Sequence, residues 1–426
     1  MFYINDQFYS EQDLENRWRQ LADNDGFNEC RRLAVVTEDL FEWLAVALFC
    51  QRRGRSVAPI HPDTPKAGAL EKARQLQCDG LVWQLAENIQ RLTLDKQAAD
   101  DRASGTLIQF SSGTTGAPKR VERRWSEIAT EIEHYNRALD FEDDVVPVVA
   151  CPVTHSYGLI CGVMATLARG QTPHIVSGWN PKYLIRILSG YRKPVLYSSP
   201  TFIKALIDLW PADRPLYGVM TSGSAMPTRW FRALSQMTAQ LWQQYGCSEA
   251  GCVAVARDPA ESGIVGQPLG HCGIVAGTSS EQPGEVVVLQ GERHIHTRDS
   301  GYLDRQGQLH FCGRLDDTIV VSGLNVYPRE VEDALTDHEG IHDAVAFKVQ
   351  DALAGERIGV FYTGDANLSE TEVRRWCAGR LARHQWPSWV RYREELPRLP
   401  NGKISRRQLS RQYGQGGEAV QGQGAA

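Results

Sequence analysis

The chain has 426 residues, with 46 Lys and Arg against 51 Asp and Glu for a formal charge of −5, and it is 42% hydrophobic and 23% charged. At about 150 residues per domain, that length supports two or three compact units with a sizeable core and excludes a small stapled scaffold. The charge balance excludes an overall basic bias toward nucleic acid or an anionic membrane surface.

Met1 to Ser10 carries Asp6 and no basic-then-apolar targeting pattern. The best apolar run, Trp43 to Cys50, falls far short of the ~20 residues needed to cross a bilayer. A cytoplasmic protein with no membrane span is expected. The ten cysteines, from Cys30 to Cys377, form no Cys-x-x-Cys pair; even the closest two, Cys247 and Cys252, lack a second pair for zinc, so reduced, buried thiols are expected. His294, His296 and Cys272 likewise have no spacing that supports a tetrahedral site.

In chain order, Phe41 to Cys50 is a buried element, and Ser56 to Ile60 is a short strand ending in the Pro-rich turn His61 to Pro65. Thr106 to Phe110 is a strand and Ser111 to Pro118 a loop, after which Ile128, Ile132, Tyr135 and Leu139 recur at helical spacing. Such alternation predicts an α/β sheet with crossover helices. After about Gly313 a smaller α+β unit begins. Val331 and Leu335 share one face of a helix, Ala344 to Val349 and Ile358 to Tyr362 are strands, and Ser369 with Glu372 makes a capping box for a helix running toward Leu381. The expected organisation is a large multi-layer α/β domain over 1–314, a small mobile α+β domain over 315–413 and a disordered Gly/Gln/Ala tail over 414–426, without internal repeats.

The chemistry concentrates in Ser111-Ser112-Gly113-Thr114-Thr115-Gly116-Ala117-Pro118-Lys119. Glycines let backbone N–H groups approach an anion, hydroxyls donate further hydrogen bonds and the lysine adds a point charge, which suits a polyphosphate. A Walker A loop is excluded, because Pro118 precedes and Arg120 follows Lys119. The bland alternative for any such stretch is a polar surface turn.

This string resembles the phosphate loop of the adenylate-forming (ANL) superfamily, which comprises acyl- and aryl-CoA synthetases, acyl-carrier-protein ligases, peptide-synthetase adenylation domains and luciferases. Four more strings match in order: Tyr245-Gly246-Cys247-Ser248-Glu249, Thr297-Arg298-Asp299, Gly313-Arg314-Leu315-Asp316 and Pro400-Asn401-Gly402-Lys403. The resemblance covers roughly residues 30 to 410, with an N-terminal region abbreviated for the family. Three departures stand out: Arg298 replaces a glycine, Arg120 replaces a glycine after Lys119, and Val320, Val321 and Ser322 stand where a lysine and an arginine often precede Gly323.

The resemblance implies an ATP-dependent ligase. A carboxylic acid attacks the α-phosphate to give acyl-AMP and pyrophosphate, and the thiol of CoA or of a carrier-protein phosphopantetheine arm then takes the acyl group. Ser111, Ser112, Gly113, Thr114, Thr115, Gly116 and Lys119 would grip the phosphates, Tyr245 would stack on adenine with Ser248 beside it, and Asp299 would hold the ribose. Arg314 would contact the nucleotide, Glu249 would ligate Mg²⁺, and Lys403 would bridge carboxylate and nucleotide; Glu249 and Lys119 join it as the catalytic set. Asp316 would be the interdomain hinge. His155, Tyr197, Gly223 and Ser224 would line the acid pocket, and with no carboxylate in Thr154-His155-Ser156-Tyr157 to grip an α-ammonium, an aryl or acyl acid is favoured. A carrier protein is slightly favoured as acceptor by analogy with the short chain. Arg406 and Arg407 are more often solvated than part of a docking surface. The rival readings are a phosphotransferase, which would release ADP, and a catalytically idle relative acting as a binding or scaffold protein.

Overall fold

The computed structural model describes residues 1–92, 105–111, 119–178, 180–211, 214–321, 324–351, 355–398 and 404–413. Two sheets build the first three-quarters of the chain. The first has six strands in the order Leu85–Arg91, Gly80–Trp83, Arg32–Val36, Ser56–Ile60, Thr106–Ser111, Lys119–Arg124, parallel in the middle and antiparallel at both edges. The second follows a thirteen-strand path whose parallel section includes Val146–Ala150, Pro194–Ser198, Leu216–Thr221 and Thr238–Cys247; it turns antiparallel at Gly251–Arg257.

Strand alternation explains the layering, because successive side chains point to opposite faces. From the first sheet Leu33, Val35 and Val57, and from the second Val149, Val195, Tyr197 and Met220, share one core with the helices Leu40–Arg52 and Trp125–Leu139. The alternate residues face outward: Ala34, Val36 and Ala58 pack on the helix Lys66–Gln75, while Val148, Leu196 and Val219 pack on the helices Pro181–Ser189, Pro200–Leu209 and Thr228–Met237. The apolar run from Trp43 to Cys50 is therefore the buried centre of a helix between two sheets, surrounded on all sides rather than amphipathic. No helix among the described residues is long and apolar enough to cross a membrane.

A third sheet forms from residues 319 onward, in the order Leu324–Val326, Ile319–Val321, Gly355–Gly364, Ile341–Asp351, with Trp389–Tyr392 parallel beside Gly355–Gly364. Val331 and Leu335, both fully buried on the helix Pro328–Thr336, share one face of it with the helix Glu370–Ala378. The opposite face packs on Leu409 of the helix Arg406–Tyr413.

The expected capping box is present: the Ser369 hydroxyl accepts from Glu372 N–H, and the Glu372 carboxylate accepts from Ser369 N–H. That helix stops at Ala378, short of Leu381, because Gly379, a poor helix former, takes its C-cap. The strand Lys119–Arg124 was not expected after the loop: five of its six residues are charged, a composition that hides β character. The ten cysteines are free thiols, six of them buried. The tail 414–426 lies outside the described residues.

Candidate active site

The C-terminal ends of the parallel strands in an open α/β sheet form the usual ligand crevice. Here that edge carries Ser198, Thr221 with the turn Ser222 to Ala225, and Tyr245. Tyr245 lies near the end of the strand Thr238–Cys247, just before a register shift at Gly246, and the chain reverses through Ser248, Glu249 and Ala250 into Gly251–Arg257. Gly246 is required there, since a Cβ on it would stand 2.1 Å from the Gly251 carbonyl oxygen. The reversal leaves Glu249 half-buried at the hairpin tip, with no described side chain bonded to its carboxylate. An uncommitted carboxylate at a hairpin tip fits a hard cation, which wants oxygen ligands.

Tyr245, Asp299 and Arg314 come together from three strands. The Tyr245 hydroxyl donates to Asp299 Oδ2 at 2.6 Å, and Arg314 Nη1 donates to Asp299 Oδ1 at 2.8 Å and to the Thr297 carbonyl at 3.1 Å. Asp299 is 6% exposed, so its charge needs these donors. Burial first, and then the Asp299 carboxylate, push the Tyr245 phenol far above its ordinary range. Burial opposes the Arg314 charge, but Asp299 and Asp316 together hold that guanidinium above its ordinary value. The Tyr245 ring also meets Phe311, with centroids 6.0 Å apart.

Arg298, which stands where a glycine was expected, has φ +60°, the left-handed region in which glycine is at ease. Two bonds hold it there: its N–H donates to Glu285 Oε1 at 3.0 Å, and its Nη2 to Asp316 Oδ1 at 2.7 Å. The arginine thus trades backbone strain of about 1–2 kcal/mol for a grip on the expected hinge residue. Arg298→Ala keeps the strain and loses the grip, whereas Arg298→Gly loses both. Urea unfolding is expected to leave Arg298→Gly within about 1 kcal/mol of the parent and to place Arg298→Ala below both; an alanine variant as stable as the parent would refute the compensation.

The phosphate-type loop closes a hairpin whose strands pair Ser111 with Lys119, an exposed residue. Ser112, Gly113, Thr114, Thr115 and Gly116 lie outside the described residues, as does Lys403. Gln109 on the first of these strands donates to the Thr154 carbonyl at 3.1 Å and accepts from the Ser156 hydroxyl, so that strand stands beside the His155 segment. His155 is exposed and precedes the helical segment Tyr157–Met164. Gly223 and Ser224 are exposed in their turn, whereas Tyr197 is fully buried under the sheet edge, its phenol pushed up to about 12 by burial. Asp316 sits in the short turn Leu315–Asp317. Val320 is an exposed apolar side chain on the strand Ile319–Val321.

Two features escaped sequence reasoning. The first is a buried ion pair: Arg123, in the strand after the loop, is paired with Glu131, whose other oxygen accepts the Cys252 N–H at 2.7 Å. It joins the loop hairpin, the helix Trp125–Leu139 and the Glu249 hairpin. The second is the seating of the small domain. Asp333 accepts from Thr228 N–H at 2.9 Å and Thr228 Oγ1 at 2.8 Å, and Arg229 donates to the Thr336 and Ile341 carbonyls at 3.3 and 3.1 Å. Arg406 is not simply solvated; it donates to both Glu332 oxygens at 2.7 and 2.8 Å and to Asp317 at 3.4 Å. No cluster of three metal-ligating groups occurs among the described residues, and His296 is bonded to Glu285.

The AMP-binding enzyme family matches residues 5–292, and the AMP-binding enzyme C-terminal domain matches residues 330–403. The chain belongs to the AMP-binding enzyme family. It is 34% identical over 411 residues to a 3,4-dihydroxybenzoate–[aryl-carrier protein] ligase of Bacillus anthracis, covering 96% of this chain and 98% of that one. It is 27% identical over 360 residues to a long-chain-fatty-acid–CoA ligase of Bacillus subtilis (strain 168), covering 76% of this chain and 64% of that one. In fold it is similar to the o-succinylbenzoate CoA synthetase MenE of Bacillus subtilis solved with its acyl-adenylate intermediate, with TM-score 0.81, 19% identity and coverage of 99% and 96%. ATP-bound MatB of Rhodopseudomonas palustris aligns with the same TM-score, 0.81, at 19% identity over 96% and 95% of the two chains. A further MenE structure holds ATP and a magnesium ion. As a member of this family the chain is an AMP-forming acid–thiol ligase: it adenylates an aryl or acyl acid and passes the acyl group to the thiol of CoA or of an aryl-carrier protein.

Proposed function

We propose that this chain activates a hydroxylated aromatic acid with ATP and delivers it to the phosphopantetheine thiol of an aryl-carrier protein. The observation that carries the reading is the 34% identity extending over nearly the whole of both chains to the aryl-carrier protein ligase, where the fatty-acid–CoA ligase gives 27% over 76% of this chain. The absence of a carboxylate in Thr154 to Tyr157 supports an acid without an α-ammonium group.

The chemistry needs positioning and charge stabilisation more than a nucleophilic side chain, because the substrate carboxylate is itself the nucleophile. Ser111 to Gly116 and Lys119 hold the β- and γ-phosphates, and the Tyr245 ring takes the adenine. Asp299, already fixed by Tyr245 and Arg314, presents its carboxylate to the ribose hydroxyls. Ser248 and Glu249 occupy the hairpin tip, where Glu249 would hold Mg²⁺; when bound, that ion spreads phosphate charge. Lys403 draws carboxylate and α-phosphate together. His155, Tyr197, Gly223 and Ser224 border the acid, and rotation at Asp316 exchanges the face that the small domain presents to it.

The test is hydroxylamine trapping with ATP and Mg²⁺ across 3,4-dihydroxybenzoate, benzoate, a short-chain and a long-chain acid, followed by transfer to CoA or to a phosphopantetheinylated aryl-carrier protein. The expected result is hydroxamate mainly from the dihydroxy acid and faster acylation of the carrier protein. Preference for a fatty acid, or for free CoA, would refute the reading.

A further inference from the structure

The helix Thr228–Met237 follows the turn Ser222 to Ala225, and it begins without a cap of its own. Its N-cap residue is Pro227, which has neither an N–H nor a side-chain oxygen, so no side chain of the segment itself takes up the first-turn N–H groups. The acceptor comes from the small domain. Asp333, on the helix Pro328–Thr336, accepts the Thr228 N–H at 2.9 Å through Oδ1 and the Thr228 hydroxyl at 2.8 Å through Oδ2. A carboxylate in that place also meets the positive end of the helix dipole. The cap is thus supplied from across the domain boundary.

A second contact extends the grip to the residues before the helix. Arg329, one turn earlier than Asp333 and 3.6 Å from it, donates to the Met226 carbonyl at 3.2 Å. It is also bonded to Ser262, whose hydroxyl lies 3.2 Å from that of Thr228. Met226 and Ser262 are buried, so these bonds form away from solvent. Gly223, Ser224 and Ala225 are exposed, and the course of their turn is set by its two ends: the strand Leu216–Thr221 on one side and this grip on the other.

We propose that Asp333 is a detachable N-cap, with Arg329 beside it, through which the small domain positions the turn Ser222 to Ala225 for the carboxylic acid. Seating the small domain on the helix Thr228–Met237 and ordering that turn are then one equilibrium. The acid binds more tightly with the cap in place, and by linkage bound acid favours the seated domain. Rotation at Asp316 withdraws Asp333 and Arg329 together and leaves the first-turn N–H groups to water, so the turn is released as the domain arrangement changes. Asp333 and Arg329 are positioning residues that act on the substrate only through the turn. This inference rests on the reading above that Gly223 and Ser224 border the acid.

The experiment measures KM for the acid and for ATP by ATP–pyrophosphate exchange in the parent, Asp333→Ala and Asp333→Asn, with a thermal melt of each. The acid is whichever of 3,4-dihydroxybenzoate, benzoate, a short-chain and a long-chain acid the parent exchanges fastest. The expected result is a KM for the acid about fivefold higher in Asp333→Ala, the scale of losing one N-cap, with the KM for ATP unchanged. Asp333→Asn stays close to the parent, because an asparagine oxygen caps about as well as an aspartate. Hydrogen exchange gives a second readout: saturating acid slows the amides of Thr228 to Trp230 in the parent and leaves them unslowed in Asp333→Ala. An unchanged acid KM in Asp333→Ala, a loss confined to kcat, Asp333→Asn as impaired as Asp333→Ala, or no effect of acid on the parent's amides overturns the proposal. Should Asp333→Ala fail to fold, hydrogen exchange on the parent decides alone. Ser224→Trp tests the premise, since an acid KM unmoved by that variant refutes the placing of the turn beside the acid and the proposal with it. A parent that exchanges with none of the four acids refutes the acid-activating reading instead, so the failures are separable.

Discussion

Glu131→Ala is expected to destabilise the large domain by about 3–5 kcal/mol, the usual result of removing one member of a buried ion pair, and to raise the KM for ATP. The Glu131 side chain is 1% exposed and that of Arg123 4%, so the arginine left behind is a desolvated charge without its partner. Arg123 Nη1 already has no hydrogen-bond partner, so the lost carboxylate is not replaced from that side. The Cys252 N–H also loses its acceptor, three residues after Glu249. The link to ATP follows from connectivity: Arg123 belongs to the strand that closes the phosphate-type loop, and Cys252 to the strand that leaves the Glu249 turn.

A melt would shift by on the order of 10 °C, since 1 kcal/mol moves Tm by about 2–4 °C in a domain of 150–250 residues. Replacing both partners, as Arg123→Met with Glu131→Met, removes the stranded charge and is expected to recover a substantial part of the loss. A single variant that melts within about 1 kcal/mol of the parent would show that the pair contributes nothing to holding the two hairpins.

What could be read from the sequence, and what could not, divides along sequence separation. The strings around Ser111 to Lys119, Tyr245 to Glu249, Asp299 and Arg314 each encode a local feature, a glycine-bearing turn or a strand end, and short-range chemistry suffices to recognise them. Val331 and Leu335, or Ile128, Ile132, Tyr135 and Leu139, are legible because burial imposes helical spacing. The bond from Tyr245 to Asp299 spans 54 residues, that from Cys252 to Glu131 spans 121 and that from Thr228 to Asp333 spans 105. No periodicity records such pairs; the sheet order brings them together. The burial of Gln244 went unnoticed for a related reason. In Gln243-Gln244-Tyr245 two like residues point to opposite faces, and only the strand pairing shows that Gln243 donates to the Ile264 carbonyl while Gln244 enters the core. Arg298 was visible as a departure, but its tie to Asp316 depends on the strand pairing of Asp299 with Arg314.

Lys403→Ala is expected to lower acyl-AMP formation by about 10²–10³-fold, the scale of removing one charge-stabilising donor from a transition state, while preformed acyl-AMP is still transferred to the thiol. The expectation turns on which body carries the lysine. Residues 399–403 lie outside the described set, but the chain on either side is anchored to the small domain: Arg398 is paired with Asp343, and Arg406 with Glu332 and Asp317. The helix that carries Glu332 also carries Asp333, the acceptor for Thr228 of the large domain. Once the mixed anhydride exists, the carboxylate charge that the proposed lysine would neutralise is gone, and thiol attack would no longer need it. Single-turnover measurements separate the steps: ATP–pyrophosphate exchange reports the first, and transfer from synthetic acyl-AMP to the thiol reports the second. Equal loss in both would assign Lys403 to the integrity of the small domain rather than to adenylation, and no loss in exchange would remove it from the catalytic set.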